Sequence, residues 1–141
     1  MPGQSAPGAG YSGTPLAKKL GFSDGAVVHL IGPPSNYAKL IGPAFRTVKR
    51  AKTADRGVDI VHLFTASRSR LSVTLAVLRT KLRPDAVIWV SWPKKSSGVA
   101  SDVTEDTIRD IALPLDFVDI KVCAIDATWS GLKLMIRKDR R

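Results

Sequence analysis

Three uninterrupted apolar runs of strand length constrain this chain more than any other feature: "AVVHLIG" from Ala26, "VDIVHLF" at Val58–Phe64 and "AVIWVSW" at Ala86–Trp92. A strand with one face in water alternates apolar and polar residues, whereas a strand apolar on both sides must be covered on both, as in a mostly parallel sheet. Parallel neighbours need crossover connections, and the intervening segments supply them. "SRSRLSVTLAVLRTKL" places Leu71, Leu75, Leu78 and Leu82 on one helical stripe with Arg68, Arg79 and Lys81 off it, and Pro84 lies beyond its end. "DVTEDTIRDIAL" repeats the design, with Asp102 as N-cap, Glu105 as capping-box partner, Val103, Ile108 and Ile111 inward and Pro114 beyond.

The flanks complete the pattern. "TPLAKKLG" reads as a short helix, with Thr14 as N-cap, Pro15 at its first position and Gly21 just past its end. "AFRTVKRAKTADRG" is assigned to an edge strand whose Arg46, Lys49, Arg50 and Lys52 discourage edge-to-edge association. Near the end, Val118, Ile120, Val122 and Ala124 alternate with Asp119, Lys121 and Cys123, Leu132, Leu134 and Ile136 alternate with Lys133, Met135 and Arg137, and "DATWSG" joins them as a hairpin. The expected fold is α/β, a doubly wound, mostly parallel sheet ending in an antiparallel hairpin. It resembles a shortened methyltransferase-like Rossmann sheet.

A closer resemblance lies in "GYSGTPLAKKLG", "VHLF", "WVSWPKKSSGV" and "ATWSGLKLMIRK". Together these are similar to the uncharacterised bacterial family catalogued as domain of unknown function 3052, from Tyr11 to about Lys138. That resemblance implies one compact domain and carries no activity, cofactor or catalytic residue.

The chain has 141 residues, 44% of them hydrophobic, enough to build one core. Residues 1–13, rich in Gly, Pro, Ser and Ala, read as a disordered tail, residues 14–138 as a single α/β domain and 139–141 as a basic tail. The lone cysteine, Cys123, excludes an intrachain disulfide and suits the cytoplasm. No signal peptide or membrane-spanning run is visible, so no membrane partner is expected. A net charge of +10 favours anionic partners: a small molecule, an acidic protein surface or nucleic acid, the last with no motif behind it.

In such sheets ligands bind beyond the carboxyl ends of the parallel strands. Those ends carry Ser67 and Arg68; then Trp92, Lys94, Lys95 and Ser96; then Asp126 as the nearby acid; and Trp129, Ser130 and Lys133 where the last strand returns. Cations, hydroxyls and two indoles, between which a ligand would be seated, suit an anion with a flat portion, such as a nucleotide or phosphorylated metabolite.

Named chemistries fit less well. An S-adenosylmethionine or dinucleotide site of the usual kind needs a glycine-rich first turn and an acid after the second strand. Here the turn is "LIGPPSNY" and the second strand ends in "KRAK", so no cofactor is expected. "SSG" lacks the spacing of a phosphate-binding loop, and Ser67 lies outside a nucleophile elbow. His29 and His62 occupy matching points of two strands, as side-by-side core histidines, and only distant Cys123 or an unplaced carboxylate could supply the third ligand of a metal site, so none is expected. The expectation is a non-catalytic module binding an anionic small molecule or a partner protein at the rim. An enzyme acting on a phosphorylated substrate, with Lys94 or Lys95 as electrostatic stabiliser, and non-specific nucleic-acid binding are the alternatives.

Overall fold

A computed structural model describes residues 14–141. The expected tail at 1–13 lies outside the described residues. The chain runs through α1 (Leu16–Leu20), β1 (Val27–Ile31), α2 (Tyr37–Ile41), β2 (Lys49–Ala51), β3 (Ile60–Phe64), α3 (Arg68–Lys81), β4 (Val87–Pro93), α4 (Glu105–Ala112), β5 (Phe117–Ala124) and β6 (Trp129–Ile136). One six-stranded sheet results, in the order β2-β1-β3-β4-β6-β5. The first four strands in that order are parallel, while β6 runs antiparallel to both β4 and β5. The doubly wound sheet with its terminal hairpin is thus the one the apolar runs require.

Two hydrophobic layers cover the sheet. On one face, α3 and α4 bury Leu71, Leu75, Leu78, Ile108 and Ala112 against Val61, Leu63, Ile88, Val90, Leu132 and Leu134. On the other, α1 and α2 bury Ala17, Leu20, Tyr37 and Ile41 against Val28, Ile60, Phe64 and Trp89. The buried indole of Trp89 donates its N–H to the Leu20 carbonyl at 3.1 Å, fastening α1 to β4. Trp92, of the opposite parity on β4, belongs to the α3/α4 layer.

Local signals held with small displacements. The first helix begins after Pro15, with no side-chain cap, and ends as expected at Gly21, whose φ of 86° is left-handed. The basic edge strand shortens to Lys49–Ala51, because Pro43–Arg46 closes into a 3₁₀ turn first. Asp102 is not the N-cap of α4. Thr104 is, accepting from the Thr107 N–H. The Asp102 carboxylate instead accepts from the Arg68 N–H at 2.7 Å, at the start of α3. At the C-terminus, Lys138–Arg140 forms a 3₁₀ turn, Arg137 pairs with Asp139, and Arg141 Nε donates to the Ile136 carbonyl.

The two histidines are not side-by-side neighbours. His29 lies opposite Val61, and His62 lies opposite Leu30. A one-residue offset between strands reverses the face, so His29 projects to the α3/α4 side and His62 to the α1/α2 side.

Candidate functional site

From β1 the chain winds outward through α2 to β2, then crosses back to β3 on the other flank of β1. The carboxyl ends of β1 and β3 therefore border the point where strand order reverses, and connections leaving in opposite directions open a crevice there. Gly32 forms its first wall. Its φ is 64°, and a Cβ built on it would stand 2.9 Å from the carbonyl oxygen of Phe64. Only glycine permits the turn to lie this close to β3. Pro33, Ser35 and Asn36 continue that lip, exposed. The facing lip is Thr65–Ser67, where the Ser67 N–H donates to Thr65 Oγ1 and Ser67 Oγ caps α3 by accepting from the Arg70 N–H.

Beneath the crevice runs a polar chain that sequence reasoning missed. Tyr37 Oη lies 2.8 Å from His62 Nδ1, and His62 Nε2 lies 2.8 Å from Ser91 Oγ. All three residues are buried, and they come from α2, β3 and β4. A neutral imidazole has one donor and one acceptor nitrogen, so either tautomer joins them in a single directed chain. Burial holds the His62 pKa down to about 3 and pushes the Tyr37 hydroxyl up. The chain therefore stays uncharged and acts as a brace between α2 and the sheet. The His62 ring stacks on Phe64 at 4.2 Å, and Phe64 meets Trp129 edge-on at 5.0 Å, extending an aromatic floor from α2 to β6.

The residues proposed for the rim are distributed as follows. Ser67 and Arg68 open α3 beside the crevice. Trp92, Lys94, Lys95, Ser96, Asp126, Trp129 and Ser130 gather where β4 ends and β6 begins, with Pro93 opposite Trp129 and Trp92 opposite Ser130. Two of them are committed to the backbone. Lys94 Nζ donates to the Asp126 carbonyl at 2.7 Å, and Asp126 Oδ1 accepts from the N–H groups of Thr128 and Trp129. Lys95 and Ser96 are exposed in a 3₁₀ turn.

Two corrections follow. Trp92 and Trp129 pack into opposite layers, so they do not form the two walls of one ligand slot. Lys133 lies opposite Trp89, well inside the strand pair, and lines a groove at the other end of the sheet, away from the rim. Among the described residues, no group of three or more His, Cys, Asp or Glu side chains is placed to hold a metal ion. Nor is any helix there long and apolar enough to cross a membrane.

Comparison with known proteins places the fold. No family model matches the chain. No curated protein matches it either. Solved structures do. A SAM-dependent methyltransferase from Aquifex aeolicus superposes with a TM-score of 0.62 at 16% identity, over 86% of this chain and 88% of the other. Precorrin-6y C5,15-methyltransferase from Geobacter metallireducens gives 0.56 at 12%, over 86% of each chain. The M1A22 tRNA methyltransferase TrmK from B. subtilis gives 0.56 at 12%, over 86% of this chain and 64% of the other. At these identities the likeness is one of fold. It nevertheless corrects the functional expectation: the chain shares its architecture with methyltransferases, so a non-catalytic anion-binding module is not the reading these neighbours support. The chain has the methyltransferase-like Rossmann fold.

Proposed function

We propose that the chain is a methyl-transferring enzyme that uses S-adenosylmethionine in the crevice above β1 and β3. The observation that carries this reading is the bare, left-handed Gly32 turn pressed against the Phe64 carbonyl at the switch point of a methyltransferase-like sheet. Without a side chain the turn lies close against β3 with its backbone bare, as the approach of a nucleoside to such a turn requires. The donor brings a methyl group on a sulfonium sulfur, ready for displacement. The chain's own part is to hold and orient: Ser35 and Asn36 on one lip, Thr65 and Ala66 on the other, above the braced aromatic floor.

The grip differs from the usual one. Pro33 and Pro34 offer no N–H, and Lys52 follows β2 where a ribose-binding acid is customary. An ammonium can donate to ribose oxygens where a carboxylate would accept. Modest affinity is the consequence. Calorimetric titration should give saturable binding of S-adenosylmethionine, competed by S-adenosylhomocysteine. Absence of heat up to millimolar donor would overturn the assignment. To this reading we add a cytoplasmic setting and, on the motifs from Tyr11 to Lys138, kinship with family 3052.

A further inference from the structure

Lys121 on β5 and Lys133 on β6 are directly opposite one another in the antiparallel register. Like charges so placed repel, and sheets ordinarily avoid the arrangement. Both lie on the α1/α2 face, Lys133 being also the neighbour of Trp89. A third lysine, Lys19 in the last turn of α1, comes near: with Lys121 it acts on the thiol of Cys123. Every ion pair among the described residues is made by an arginine, and none reaches these lysines. Residues 1–15 contain no Asp or Glu.

Beside the cluster is a groove of about 470 Å³ at the amino-terminal ends of the parallel strands. Ile60, Val87 and Lys133 line it, together with Ser23 and the carboxylates of Asp24 and Asp59, the latter paired with Arg83. That size suits a small molecule. We propose that Lys19, Lys121 and Lys133 bind the phosphate of a phosphate-bearing small molecule whose body lies in this groove. The site is at the opposite end of the sheet from the methyl-transfer crevice and independent of it.

Cys123 is the chain's only cysteine and therefore a specific reporter. Burial raises its pKa, and the charges of Lys19 and Lys121 act against that rise. An anion that neutralises the lysines removes this relief, leaving less thiolate to react. With inorganic pyrophosphate as probe, alkylation of Cys123 by iodoacetamide in the full chain at pH 8 should slow several-fold and saturably, relative to sodium chloride of equal ionic strength. The melting temperature should rise with pyrophosphate concentration. Lys121→Ala and Lys133→Ala should each weaken the half-saturating concentration about tenfold, and neither should change S-adenosylmethionine titration. Because each variant relieves a repulsion, its melting temperature without pyrophosphate should not fall. If pyrophosphate acts no more strongly than matched chloride, or its effect survives in the Lys121→Ala/Lys133→Ala double variant, the site does not exist.

Discussion

At the scale of the residue, His62 concentrates the physics of this fold. It sits in the core between Tyr37 and Ser91, uncharged, with its pKa held down to about 3 by burial. The sign of its effect on stability follows. Below the ordinary histidine pKa of about 6.5 the unfolded chain takes up a proton that the folded chain refuses, so stability falls with pH from there toward 3. The slope should approach about 1.4 kcal/mol per pH unit. Urea denaturation at pH 7, 6 and 5 should show it, and His62→Gln, whose amide keeps a donor and an acceptor, should flatten it. A slope unchanged in His62→Gln would place the titration elsewhere. One signal of this brace was legible beforehand. Ser91 interrupts the run "AVIWVSW", and a hydroxyl inside a two-sided apolar strand must find a partner. Its partner was not legible, because parity between strands depends on long-range register. A single-residue offset likewise separated His29 from His62 and Trp92 from Trp129.

At the scale of the element, the helical stripes were read well, whereas the β5 alternation and the N-caps were not: Ile120 and Val122 are exposed, and neither Thr14 nor Asp102 caps its own helix. The α3 stripe of Leu71, Leu75 and Leu78 is buried as spaced. The α4 cap was misplaced by two residues because both Asp102 and Thr104 are good caps. Nothing local reveals that Asp102 is occupied by the neighbouring helix. This cross-helix cap makes a prediction. Asp102→Ala should cost about 1 kcal/mol, as loss of an N-terminal cap typically does, and should accelerate hydrogen exchange at the Arg68 amide while amides of α4 keep their protection. Faster exchange through α4 instead would mean that Asp102 serves its own helix.

At the scale of the whole molecule, the two layers are unequal. One face carries α3 with 14 residues and α4 with 8, and the other carries α1 and α2 with 5 each. Helices this short gain little from their own hydrogen bonds and stay in place through packing and tethers such as the Trp89–Leu20 bond. Native-state hydrogen exchange should therefore find the slowest amides in β3, β4 and α3, and opening of α1 and α2 at lower denaturant. Uniform protection across both layers would refute the asymmetry. The candidate crevice takes its first lip from the short-helix side, where the sequence shows a turn of unusual composition but not the brace beneath it. The alternation of tryptophans along β4 has an optical consequence. Trp89 and Trp92 are both buried, each in a different layer, so the strand carries one intrinsic emitter for each face. With Trp129 replaced by phenylalanine, removing either of the others leaves a chain whose fluorescence colour reports the wetting of one chosen side of the sheet.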